Sequence, residues 1–366
     1  MIRFAWTRFR TQALVGAGVL AIVGAVLLWT GIQLNHAYYA AEAVCRQQGN
    51  CARMFTYTFP SQGYLDAGNE LASAGLAAPA LIGMFWGAPL AAREFETGTF
   101  RLAWTQGVTR TRWLAAKLAI AGVAAIAVGE LFSLMVAWWA SPIHKANPGY
   151  SELTSGSFHT GIAPAGYAAF AFALGVTAGL LIRHTLPAMA VTLAIYTAVI
   201  IVFPIWVRPH LIPPVQTASA LSIGSVVATG VGVQGAPPGG LFVQAQLSMP
   251  GDWVLASDII TPAGLPASSE PATRACAGPQ ATPRSCDAYL DRLHLRQTVT
   301  YQPASRYWAF QWIETAIYLA LALALAGFCL WRIGPRRAAD PRIRHRGANF
   351  KIFSSERTLG STPSAG

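Results

Sequence analysis

Four carboxylates stand where a carboxylate is conspicuous. Glu94 and Glu96 lie in a polar, aromatic-rich run, Ala91-Ala-Arg-Glu-Phe-Glu-Thr-Gly-Thr-Phe-Arg-Leu-Ala-Trp-Thr-Gln-Gly-Val-Thr-Arg-Thr-Arg-Trp-Leu-Ala-Ala-Lys117, and Glu130 and Glu314 lie inside long apolar stretches. A carboxylate in hydrocarbon costs about 2.5–3.5 kcal/mol on insertion scales, so it faces a bundle interior or a wet cavity. Glu130 suits a translocation path or a proton-sensitive gate, or else a hydrogen-bonded brace between helices. Glu314 follows Gln311 and is near the end of its stretch, which points to helix packing. No catalytic residue and no metal site can be named. The chain has no G-x-x-x-x-G-K-[ST], no H-E-x-x-H and no G-x-S-x-G, and its seven histidines are scattered. An intramembrane enzyme built on Glu130 lacks a second group at a useful spacing. Gly230-Val-Gly-Val-Gln-Gly235 has the letters of a dinucleotide fingerprint, but Pro237 and Pro238 follow at once and deny it a helix.

These groups must be positioned by membrane helices. Hydrophobic residues make up 54% of the 366 and charged ones only 11%, against roughly 25% charged in soluble domains. Six apolar stretches, 13–32, 71–90, 118–139, 163–182, 186–207 and 308–331, are each near the ~20 residues that cross a bilayer as a helix. Nothing alternates with period two as a membrane β-barrel requires. The expected fold is an all-α polytopic membrane protein with six transmembrane helices and a large extracytoplasmic loop between helices five and six. Arg3, Arg8 and Arg10 precede the first stretch like the basic end of a signal peptide, but its length fits an uncleaved helix.

Charge orients the bundle. With the N-terminus inside, seventeen of the 26 Lys and Arg fall on the inner side: three before the first span, five in 91–117, Arg183, and eight from Arg332 on. Four acids share that side, whereas the outer side carries nine of each sign. This positive-inside asymmetry predicts both termini in the cytoplasm and a plasma-membrane location. The net charge of +11 is therefore no sign of nucleic-acid binding, and the basic tail, 333–366, is expected to be disordered and to lie on anionic lipid. The stretch 217–233 is uncharged but rich in Gly, Ser and Thr, and a seventh crossing would throw the basic tail outside. It is expected to be extracytoplasmic, part of a Pro- and Gly-rich outer loop, 208–306, that forms a small ordered cap. Cys45, Cys51, Cys276 and Cys286 then face an oxidising compartment, with Cys45–Cys51 and Cys276–Cys286 the simplest of three pairings, and Cys329 lies within span six.

The inner loop, 91–117, has readable punctuation. Arg93, Glu94 and Glu96 continue span two as a helix, and Gly98 is expected to end it at positive φ. Phe100–Gln106 predicts a second short helix, broken by Gly107. Thr109 precedes the helix into span three, whose entry carries Arg110, Arg112, Lys117 and an interfacial Trp113. A bare connector needs fewer residues, and a lipid-binding face would be purely basic. Gly175-Val-Thr-Ala-Gly179 in span four is a G-x-x-x-G, a motif that lets helix backbones approach closely.

The run from Ala92 to Gly107, with Thr109-Arg-Thr-Arg-Trp113 and Lys117, resembles the corresponding loop of ABC-2 type transporter permeases, closest to a high-G+C actinobacterial branch. Tyr301-Gln-Pro-Ala-Ser-Arg-Tyr-Trp-Ala-Phe-Gln-Trp-Ile-Glu314 resembles the segment entering their last span. The resemblance implies a permease domain over 1–332 that binds no cofactor itself and is no enzyme, partnered by an ATP-binding subunit that carries ATP and Mg2+. It implies a homodimer or a pairing with a sister permease, in contact with lipid and no nucleic acid. The loop would act as a coupling helix, with Arg93, Glu94, Glu96, Gly98, Thr99, Arg101, Trp104, Thr105 and Gln106 at the ATPase. Arg110, Arg112 and Trp113 would position the helix that transmits the motion. A permease of an ABC exporter is the expected function. The rival is a membrane-anchored extracytoplasmic sensor or binding protein that signals through a cytoplasmic partner.

Overall fold

The computed structural model describes residues 2–48, 64–98, 109–146, 151–153, 160–220, 251–260 and 296–334, with single positions between 262 and 294. Six helices among them are long and apolar enough to cross a membrane. Helix α1 is Ile2–Gln48. Helix α2 runs as Tyr64–Ile82, a π turn Gly83–Gly87, and Ala88–Glu96. Helix α3 is Arg110–Ala146 and α4 is Ala163–Ile182. Helix α5 runs as Thr185–Val202, a π turn Phe203–Val207 and a 3-10 turn Arg208–His210. Helix α6 is Tyr307–Ile333, entered by the 3-10 turn Ala304–Arg306. The helices thus outrun several of the apolar stretches that betray them. Residues 33–48, expected in an outer segment, continue α1, and there Glu42 and Arg46 pair one turn apart at 2.6 Å.

Helix α4 is the hub. Its small-residue sequence, with alanine or glycine at half its positions, lets neighbours close in on every side, and it is buried along almost its whole length. Helices α2, α3, α5 and α6 all pack on it, while α1 leans chiefly on α3. Between α4 and α5 only Arg183 and His184 intervene. Arg183 takes the left-handed conformation at φ 63°, and that turn makes the two helices antiparallel neighbours.

The two ends of the bundle differ in what they carry: the loop side has Thr97, Gly98, Thr109 and the turn 183–184, and the cap side has residues 211–220, 251–260 and 296–303. The cap contains a three-stranded antiparallel sheet that hydropathy left undefined. Its strands are β1 (Val215–Ala220), β2 (Trp253–Ile260) and β3 (Arg296–Gln302), in the order β1-β3-β2. Val215 pairs with Tyr301 and Trp253 with Gln302, and β2 is irregular between Val254 and Ala256. The first residues of 217–233 are therefore strand, not membrane helix. Gln302 donates to Ile212 O at 2.7 Å and Arg306 to Pro213 O at 2.7 Å, so the sheet is stapled to the ends of α5 and α6. Asp252 accepts from Ala304 N–H at 2.8 Å, and Ser151, beyond α3, donates to Gly251 O at 2.8 Å.

Cys45 is buried in α1 and disulfide-bonded, while Cys51, Cys276 and Cys286 lie outside the described residues. Cys329 is free and buried, 3.2 Å from the Thr177 hydroxyl. Peptide mapping without reductant is expected to recover Cys45 cross-linked and Cys329 alkylated only after unfolding. Cys45 alkylated in the folded chain would contradict this.

Candidate functional site

On the loop side the polar groups tie three helices together. Ala88–Glu96 continues the helix out of the π turn through Pro89, which has no N–H to bond back into that turn, and ends at Gly98, whose φ is +71°. Thr97 closes the last turn, its N–H and hydroxyl both donating to Arg93 O, at 3.0 and 2.8 Å. Arg93 is exposed, but the two glutamates are engaged within the chain. Glu94 forms an ion pair with Lys117 of α3, and that ammonium also stands over the Trp113 ring, 4.2 Å from its centroid. Glu96 accepts from the Thr185 hydroxyl at 2.6 Å and from Thr185 N–H at 3.3 Å, so it caps the start of α5. His184 Nδ1 lies 3.9 Å from its other oxygen, and the Arg183 guanidinium stands over the Phe95 ring at 5.6 Å. The end of α2 is thereby clamped to α3 on one flank and to the α4–α5 turn on the other.

Above the clamp, α2 and α4 touch backbone to backbone. Gly83 and Gly87 of the π turn face Gly175 and Gly179 of α4. A Cβ on Gly83 would lie 2.5 Å from Ala171 O, and one on Gly87 would lie 2.5 Å from Phe172 O. The G-x-x-x-G of span four thus serves an internal seam, matched by a second one, Gly83-Met-Phe-Trp-Gly87.

On the cap side, a charged cluster is wholly buried. Arg208 and Glu314 are each 0% exposed and meet as a fork, with Nε to Oε2 and Nη2 to Oε1 both at 3.0 Å. Tyr167 of α4 donates to Glu314 Oε1 at 2.5 Å. One turn further into the bundle the Tyr318 ring stands edge-on to Tyr167, centroids 4.8 Å apart, and against Phe203 at 5.1 Å. Gln311 accepts from Ala163 N–H at 2.8 Å and donates to Thr160 O at 2.9 Å, fixing the start of α4 to α6. Glu130 is central in its own apolar stretch, yet its neighbour Gly129 packs against Pro164 and Ala168 in the first turns of α4. It is therefore level with the cap-side end of that helix.

A model of the family described as ABC-2 membrane transporter related matches residues 17–208, more than half of the 366. The chain belongs to that family. No curated protein and no solved structure matches it. The ABC-2 match runs from α1 to Arg208, so it takes in the clamp and the glycine seam. It stops three residues before the cap begins.

Within this ABC-2 chain the residues expected in the coupling loop and at the entry of α3 divide three ways. Arg93, Arg110 and Arg112 are exposed, whereas Glu94, Glu96 and Trp113 hold the loop's flanks to the bundle. Trp113, expected at the headgroup level, is 7% exposed and packs in the core with Trp86, Leu180 and Ile333. Thr99, Arg101, Trp104, Thr105, Gln106 and the expected short helix lie outside the described residues, as do Gly230–Gly235 and the basic tail beyond Gly334. Lys117 was legible as an entry residue but not as the partner of Glu94. Arg208, Tyr167, Gly83 and Gly87 were missed. A lone arginine closing an apolar span was the available signal for the first.

Proposed function

We propose that this ABC-2 family member is the permease subunit of an ATP-driven exporter. In this reading the loop side and both termini face the cytoplasm and the cap faces outward. ATP and Mg2+ are bound by a separate ATPase subunit, which seats on the loop between α2 and α3. The observation that carries the reading is the clamp. A loop that only joined two spans would need no anchors, but here Glu94 fastens one end to Lys117 of α3 and Glu96 fastens it to the head of α5. A push on the loop is thus delivered to three helices at once. Differential binding of the ATPase in its open and closed states then moves the bundle between two arrangements.

Arg93, Arg110 and Arg112 supply the exposed charge for that contact. The apolar outer face of α1, with Leu14, Val19, Ile22 and Trp29 exposed, suits lipid or a second permease copy.

Affinity capture of the tagged chain from its own host tests the reading. A P-loop ATPase is expected to co-purify, and Glu94→Lys with Glu96→Lys is expected to cut its recovery about ten-fold, equivalent to ~1.4 kcal/mol of binding. Undiminished ATPase recovery and transport in that variant would remove the clamp from the coupling path. A kinase or regulator recovered in place of an ATPase would favour a sensor.

A further inference from the structure

The Arg208–Glu314 pair poses an energetic question that adhesion does not answer. Both side chains are fully buried, so both have lost their hydration, and a buried ion pair rarely holds helices better than apolar side chains of the same size. What a charge pair does offer is a low cost of separation into water, since each partner regains its hydration shell. An apolar contact opened to water gains nothing comparable.

The position of the pair gives that property a use. Arg208 opens the last turn of α5, three residues before the cap begins, and Glu314 lies in the second turn of α6, just after the cap returns. Tyr167 brings in α4 as the third helix. Beneath the pair, Tyr318, Phe203, Phe170 and Tyr196 form an aromatic floor, with the Phe170 and Tyr318 centroids 5.6 Å apart. Above it, Gln302 and Arg306 staple the sheet to the residues that follow Arg208. The pair therefore closes the root of the cap across three helices.

We propose that Arg208 and Glu314 form a charged latch: paired, it shuts the cap-side ends of α4, α5 and α6, and it parts when the permease opens that side to water. The proposal rests on the permease reading above. Tyr167 is a positioning residue, holding Oε1 of Glu314 in register with the guanidinium.

The test uses Thr315→Cys as a reporter, expressed in the chain's own host. Thr315 adjoins Glu314, is 7% exposed, and lies against the Gly166 backbone of α4, so an aqueous reagent reaches it only if the latch region opens. Labelling at position 315 by a membrane-impermeant thiol reagent, read by peptide mapping apart from the native cysteines, is expected to be about ten-fold faster in energised than in ATP-depleted cells. Arg208→Met with Glu314→Met keeps the volume and removes the charge. It is expected to reach the membrane, still bind the ATPase, and lose the energisation-dependent labelling. A merely structural pair would leave that difference intact, and this result overturns the latch while the permease reading stands. No labelling in either state, with the ATPase co-purifying, overturns it too. Failure of both labelling and ATPase capture sinks the permease reading and the latch together. Should the double methionine chain not reach the membrane, Arg208→Glu with Glu314→Arg replaces it. Recovered energisation-dependent labelling in that folded swap supports the latch, and its absence overturns it.

Discussion

Arg208→Met alone is expected to cost about 3–5 kcal/mol, because it leaves the Glu314 carboxylate buried without its guanidinium. Native domains hold only ~5–15 kcal/mol in all, so little folded chain should survive extraction. Size-exclusion melting in mild detergent measures the loss, and an unchanged melting temperature would contradict it. Glu314→Gln should be milder, since the amide still accepts from Tyr167 and leaves only Arg208 short of charge. The double methionine chain is expected to melt at or above the wild-type temperature, since removing both ions also removes both desolvation penalties. Stability and gating then move in opposite directions in one variant.

Gly175→Ala is the second large effect. A Cβ there would drive into Gly83 O and stand 2.8 Å from Ala88 N and 3.0 Å from Gly87 Cα. All three are backbone atoms, so no rotamer can relieve the clash and α2 must move off α4. Overpacking typically costs about 1–3 kcal/mol, and a backbone-on-backbone case belongs at or beyond the upper end. Gly179→Ala should behave alike, its Cβ meeting Ala88 O and Ala92 N. Gly18→Ala and Gly327→Ala are the controls, for nothing lies within 4 Å of either Cβ, and in a helix the change should be neutral or gain up to about 1 kcal/mol. Equal melting temperatures for Gly175→Ala and Gly327→Ala would remove the seam from the account of stability.

The sequence disclosed what hydropathy and punctuation can carry. All six spans were legible because twenty apolar residues have few other uses, and Gly98 was legible because a helix end favours a residue that tolerates positive φ. The polar continuations of α1 and α3 were not, since their surfaces carry no apolar signature where the helix leaves the hydrocarbon. Pairwise facts were hidden more deeply. Glu94 and Lys117 are 23 positions apart and Arg208 and Glu314 are 106, and only the packing of α2, α3, α4, α5 and α6 brings them together. The glycine motif of span four could be read, but not the surface it meets, because its partner glycines sit in a π turn that spacing rules for α-helices do not anticipate. The cap sheet was hidden for a related reason: its strands are short, β1 and β3 are largely polar, and they pair across long intervening segments.

That π turn has a consequence for direction. Hydrogen bonds closing over five residues accommodate one more residue than an α-helix would at Gly83–Gly87, so everything after it is rotated about the helix axis by about 100° from the α phase. Ala80 therefore feeds the cluster around Tyr196, while Ala88 and Ala92 feed a separate one around Ala178 and Ala188. The azimuth at which Glu94 and Glu96 leave the helix is set by the same dislocation, two turns away from them. Deleting one residue there would leave the composition and hydropathy of span two almost unchanged. It would swing both carboxylates past their partners on α3 and α5.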